Sequence, residues 1–219
     1  SKALFSVDLD TGISRKLVNL ESENSLTRSN DGRADPYGGF WIGTMSIKME
    51  KGAGAIYRFY KGELRKLFPS ISIPNSICFS PDGKIAYFTD TAQCEILRVT
   101  LDASGWPKSK PELFVNCRSE GINPDGSVVD RDGCLWNAQW GYSRVARYSE
   151  RGELIETIEL DVPQVTCPAF GGKDCSTLFI TTARDGMSEI ALQKAPLSGA
   201  VFSTQTSSIG QKENQIKLL

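Results

Sequence analysis

Apolar positions along this chain come in short bursts separated by polar turns, and none of the bursts has helical spacing. Four segments, "DPYGGFWIGTM" (35–45), "SPDGKIAYFTDT" (80–91), "DRDGCLWNAQW" (130–140) and "GKDCSTLFITTA" (172–183), each set a Gly-containing turn before an apolar run centred on an aromatic. Those aromatics, Trp41, Tyr87, Trp136 and Phe179, lie 46, 49 and 43 residues apart. Alternating second runs follow at 54–60, 94–100 and 143–149, with a weaker one at 199–204, and third runs fit at 62–68, 111–116 and 152–160. Short runs rich in Ile, Val, Tyr, Phe and Trp and bounded by Gly, Asp, Asn, Pro and Ser predict strands. No i, i+3, i+4 stripe persists over a dozen residues, so very little helix is expected.

Several strands per repeat of roughly 40 to 50 residues is the arithmetic of a propeller blade. A β-sandwich with coincidental spacing is the alternative, because sandwiches also bring short strands at regular intervals. The even aromatic spacing favours an all-β propeller spanning 1–219 as a single domain. Four clear repeats and a partial one at 2–20 fall short of a closed ring. An open ring exposes strand edges, so N-terminal material of about one blade or more, or another part of the polypeptide, is expected to complete the fold. The polar stretch from Ser203 to Leu219 is expected to be loosely held. Arg58, Arg98 and Arg147 recur in successive second strands and read as outward, solvated or snorkelling side chains.

Charge and composition narrow the chemistry. With 25 basic and 26 acidic residues the formal net charge is −1, and no run of like charges marks a nucleic-acid surface. No apolar run is long enough to span a bilayer and no leader pattern opens the chain, which points to a cytoplasmic protein with no membrane partner. The six cysteines, at 78, 94, 117, 134, 167 and 175, have no Cys-x-x-Cys spacing and read as mostly buried thiols. The count of zero histidines closes off Ser-His-Asp and Cys-His catalysis and His-ligated zinc. "GKDCS" (172–176) lacks the glycine spacing of a phosphate loop.

What remains are polar residues at the same place in successive repeats: "RSNDG" (28–32), "IPNS" (73–76), "NPDGS" (123–127) and "QVTCP" (164–168), each about ten residues ahead of an aromatic-centred run. In a propeller this placement aims Arg28, Asn30, Asp31, Asn75, Asp125 and Thr166 at one axis. Carboxylate and amide oxygens converging without imidazole or thiolate suit a hard divalent cation, and an Arg beside them suits an oxygen-rich substrate. Turn formation is the competing role for each of these Asn and Asp residues.

"RSNDGRADPYGGFWIGTM", "IPNSICFSPDGKIAYFTDT", "INPDGSVVDRDGCLWNAQWG" and "FGGKDCSTLFITTAR", in this order, resemble the successive signatures of the senescence marker protein/gluconolactonase family, the regucalcin-like sugar lactonases. The resemblance runs from about residue 26 to 187. It implies a six-bladed propeller with one divalent cation in the channel, calcium first and zinc, manganese or magnesium as alternatives, and hydrolysis of a small-molecule aldonolactone by a monomer or weak homodimer. Carried over by motif, Asn75 is a metal ligand, and Asp125 is a metal ligand and the presumed general base. Arg28 and Asn30, with Asp31 beside them, face the substrate. "ARDGM" (183–187) also matches, with Arg184 and Asp185 assigned to loop structure. The family's other metal carboxylate, in a Gly-Glu-x-Pro motif, finds no match. Ser76 stands where many members have Gly, and Lys48, with Glu50 nearby, stands where animal members have a substrate-binding Glu. Calcium-dependent phosphotriester hydrolysis on the same kind of site and a non-catalytic metal-binding or scaffold propeller stay open as alternatives.

Overall fold

In the computed structural model, which describes residues 2–218, seventeen strands, eleven of them at the predicted runs, fall into two compact units. The first comprises Ser1–Pro74 with Asn214–Leu219, the second Asn75–Glu213. In the first, β1 (Ala3–Val7) pairs with β2 (Ser14–Asn19), and β3 (Thr27–Ala34), β4 (Phe40–Ser46), β5 (Gly54–Tyr60) and β6 (Glu63–Ile71) form a four-stranded sheet in chain order. In the second, β7 (Pro74–Phe79), β8 (Ile85–Asp90), β9 (Glu95–Thr100) and β10 (Glu112–Asn116) form one sheet. Strands β11 (Asn123–Val129), β12 (Leu135–Trp140), β13 (Arg144–Tyr148) and β14 (Leu154–Glu159) form the next. A three-stranded sheet of β15 (Val165–Gly171), β16 (Thr177–Thr182) and β17 (Val201–Gln205) completes it. The fold is all-β and each sheet is a propeller-like blade. Among the described residues there are four such sheets and one two-stranded hairpin, where the resemblance implies six blades.

Among the described residues helix is confined to α1 (Glu189–Lys194), where Ser188 caps the Ala191 amide, and a single 3-10 turn at Thr91–Gln93. Among the described residues no helix is long and apolar enough to cross a membrane.

Alternation along the strands decides what each sheet buries. Trp41, Tyr87 and Trp136 are 2% exposed or less and anchor their blades. Trp136 packs with Val128, Val145, Val165, Leu178 and Ile180, while Tyr87 packs with Ile96, Phe114 and Leu135. In the first unit Leu20, Ile42, Ala55 and Tyr57 cluster. The fourth aromatic departs from the expectation: Phe179 is 39% exposed, because Leu178 and Ile180 take the inward positions and the residue between them must face out.

The recurring arginines also correct the sequence reading. Arg58 is fully buried, its Nε 2.6 Å from Oδ2 of an equally buried Asp35, and its guanidinium lies over Tyr60. Arg147 stacks on Trp136 and donates Nη2 to Asp130 at 2.9 Å. The other oxygen of each aspartate accepts backbone N–H groups of the turn it opens, from Tyr37 and Gly39 to Asp35 and from Asp132 and Cys134 to Asp130. Each pair therefore locks a turn onto the second and third strands of its blade. In the intervening blade the turn opens with Ser80, which accepts from the Ile85 amide and donates to Asp82. Arg98 then has no buried carboxylate and sits 37% exposed, 3.8 Å from Glu112.

The C-terminal stretch is held more firmly than its polarity suggests. Ile209 accepts from the Arg131 amide, and the Gly210 amide donates to Cys175. Gln211 Nε2 donates to the Val129 and Phe79 carbonyls. In the first unit Lys217 N–H donates to Gly38. These contacts partner backbone groups at strand ends and turns that the sheets leave over. All six cysteines are free; Cys78, Cys117 and Cys134 are buried and the other three partly so. Burial pushes the Cys117 thiol up to about 11, where it stays protonated at neutral pH.

One carboxylate in the first unit went unnoticed in the sequence. Glu21, at a positive φ of 46°, accepts from Tyr57 Oη at 2.5 Å, Thr27 Oγ1 at 2.5 Å and Thr44 Oγ1 at 3.2 Å. Burial raises its pKa, but these hydrogen bonds and the Lys66 charge outweigh that and the net shift is downward. The same contact, after burial itself, raises the Tyr57 phenol.

Candidate functional site

The polar motifs lie inside the first strand of each blade, not in the loops before it, and three of the four sit on β-bulges. On β11 the register passes from Pro124 opposite Gln139 to Ser127 opposite Asn137, so Asp125 and Gly126 together face Ala138. On β3 it passes from Ser29 opposite Thr44 to Gly32 opposite Ile42, leaving Asn30 and Asp31 against Gly43. On β15 Thr166 is the extra residue between Val165 and Cys167. A bulge turns a side chain out of the regular alternation and leaves a residue unpaired in the ladder. The equivalent placement seen in the sequence is thus an equivalent backbone device.

In the second unit the structure brings Asn75 and Asp125 together. Asn75, 7% exposed, donates Nδ2 to Thr91 Oγ1 at 3.0 Å, and that hydroxyl donates to the Pro124 carbonyl at 2.7 Å. The next residue, Ser76, donates its hydroxyl to the Asp125 carbonyl. Two links therefore join the start of β7 to the β11 bulge. Because the Asn75 nitrogen is committed to Thr91, its amide oxygen is the atom suited to a cation. The glycine of the bulge is required by close approach: a Cβ at Gly126 would lie 2.6 Å from Cys167 Sγ and 2.8 Å from the Thr166 carbonyl.

In the first unit Arg28 is exposed and its Nη1 donates to Asn30 Oδ1 and the Ser29 carbonyl, both at 3.0 Å. Asn30 donates Nδ2 to the Pro74 carbonyl at 2.9 Å. Gly43 leaves room for that proline, since a Cβ there would come within 2.4 Å of Pro74 Cγ. Asn30 thus holds the Pro74 carbonyl, a role the sequence did not suggest. Asp31 is half-buried beside it. Thr166 shares a 2.7 Å hydroxyl contact with Thr181. Lys48 is exposed, and Glu50 accepts from Ser46 Oγ at 3.3 Å.

The donor set can be judged chemically. Asn75 and Asp125 offer an amide and a carboxylate oxygen, a match in kind for a hard cation such as Ca²⁺. Among the described residues no group of three or more His, Cys, Asp or Glu side chains that could hold a metal ion is present. The residues missed from the sequence are Thr91, Ser127 and Asn137, which support the bulge. Gly32 and Gly126, isolated within strand patterns, were the available bulge signals.

Comparison with known proteins gives the family. The model of the SMP-30/Gluconolactonase/LRE-like region matches residues 1–184. An L-arabinolactonase of Azospirillum brasilense is 38% identical over 93% of this chain and 68% of its own length. A 6-deoxy-6-sulfogluconolactonase of Pseudomonas putida is 34% identical over 96% of this chain and 72% of its own. A calcium-binding protein, regucalcin, from Agrobacterium tumefaciens superposes with a TM-score of 0.96 at 44% identity, covering 99% of this chain and 74% of that one. The chain belongs to the SMP-30/gluconolactonase/LRE-like family.

Proposed function

We propose that this chain hydrolyses a sugar lactone with the help of one divalent cation, calcium first. The observation that carries the reading is the pairing of Asn75 with the bulged Asp125 through Thr91, Pro124 and Ser76, in a chain whose relatives include named lactonases. Asn75 Oδ1 and the Asp125 carboxylate would hold the cation, which when bound supplies Lewis acidity toward a lactone carbonyl. Asp125 would orient a water, accept its proton as the water oxygen bonds the carbonyl carbon, and return that proton to the ring oxygen as the ester C–O bond opens. A carboxylate is a weak base at neutrality, but a lactone is a reactive ester, so modest base strength suffices. Arg28, ordered through Asn30, would donate to the hydroxyls of the substrate, with Asp31 accepting from them. The sheets would form part of a six-bladed propeller.

The test is aldonolactone hydrolysis by the chelator-stripped protein with Ca²⁺, Mg²⁺, Mn²⁺ or Zn²⁺ returned, beside Asp125→Ala. Turnover restored by one metal and reduced at least about a hundredfold in Asp125→Ala is expected. A folded protein inert to lactones with every metal, yet active on a phosphotriester or on neither, would replace this reading.

A further inference from the structure

We infer that Ser76 is a positioning residue for Asp125, held in an otherwise unfavourable backbone conformation so that its hydroxyl can organise the β11 bulge; the inference rests on the lactonase reading for its catalytic meaning. Ser76 is fully buried and adopts φ +58°, the left-handed region where a side chain is disfavoured and glycine is not. Its hydroxyl donates to the Asp125 carbonyl. Ser127 Oγ donates to Ser76 Oγ at 2.9 Å, and Asn137 Nδ2 lies 3.2 Å from Ser76 Oγ and 3.0 Å from Ser127 Oγ. The same amide nitrogen is 3.4 Å from the carbonyls of both Asp125 and Gly126.

The convergence has a physical reason. A bulge takes its carbonyls out of the strand ladder; Gly126 is buried and Asp125 half-buried, and side chains supply the donors. Asn137, directly across the ladder from Ser127, supplies one from β12, and Ser76 supplies the other from β7. Asn137 Oδ1 is itself buried without a hydrogen-bond partner, so the amide works through its nitrogen. Three buried polar side chains thus fix the peptide that carries the Asp125 carboxylate, and a left-handed serine is tolerated to complete the set.

Ser76→Gly separates the hydroxyl from the backbone, since glycine accepts φ +58° without strain; Ser76→Ala keeps the strain and removes the hydroxyl. Each is compared with the unaltered chain in thermal melting, Ca²⁺ titration calorimetry, gluconolactone kinetics and amide exchange across 123–129. Ser76→Gly is expected to melt no lower than the unaltered protein while its Ca²⁺ affinity falls about tenfold, the change expected for one lost hydrogen bond. Its kcat should fall about ten- to hundredfold with KM little changed, as for a misplaced catalytic group, and exchange should quicken at Asp125–Ser127 alone. A merely structural serine would instead shift melting, with kcat and affinity within twofold, and that result overturns the proposal. Should the unaltered chain hydrolyse no lactone, the function fails separately, and unchanged exchange at Asp125–Ser127 in both variants would still overturn the positioning role.

Discussion

A single residue at the start of each turn decides whether an arginine two strands away is a structural part or a surface charge. Asp35 and Asp130 are fully buried and draw Arg58 and Arg147 inward, whereas Ser80 in the same place leaves Arg98 partly exposed over the Phe114 ring. Strand alternation in the sequence shows only which face a side chain takes; the carboxylate that meets it comes from a turn remote in the chain, so the outward reading failed for Arg58 and Arg147 and held for Arg98. The consequence is measurable by urea unfolding. Arg58→Ala strands a buried Asp35 carboxylate and is expected to cost about 3–5 kcal/mol. Arg98→Ala, removing a loose exposed contact, should cost about 1 kcal/mol or less.

At the level of elements, the strands themselves were legible. The runs read from periodicity reappear as β4, β5, β6, β8, β9, β10, β12, β13, β14, β16 and β17 within a residue or so for most ends, because period-2 patterning and turn residues are local properties. The bulges left only the isolated Gly32 and Gly126 as local signs, since a bulge is defined by its partner strand and not by its own sequence alone. They nonetheless decide where Asn30, Asp31, Asp125 and Thr166 point. Gly126→Ala tests this: its Cβ would meet Cys167 Sγ at 2.6 Å, Cys167 Cβ at 2.8 Å and the Thr166 carbonyl at 2.8 Å. Only the thiol could swing aside, so the bulge must shift. Destabilisation of about 1–3 kcal/mol is expected, with loss of Ca²⁺ affinity by calorimetry. Cys167→Ala should rescue little, because the backbone contact remains.

For the molecule as a whole, acid should weaken the fold, with Glu21 contributing. Its pKa in the folded chain lies below the ordinary 4.5, so the unfolded chain binds the proton more readily. The stabilisation is complete above about pH 4.5 and is lost as pH falls through the lower folded value. Between about pH 6 and pH 3, Glu21→Gln should therefore lose less stability than the unaltered chain, measured by urea midpoints at each pH. The sequence by itself determined the all-β class, the repeat, the near absence of helix and the exclusion of imidazole chemistry, because composition and short-range periodicity carry those properties. It also marked Asn75 and Asp125 by motif. Only the tertiary structure decided the rest: that Thr91 and Ser76 tie these two residues together, that Asn30 holds the Pro74 carbonyl, that the polar tail is hydrogen-bonded to turns, and that a left-handed serine sits beside the bulge. Each of these joins groups distant in the chain, and hydrogen bonds between distant groups leave no period in the sequence to read.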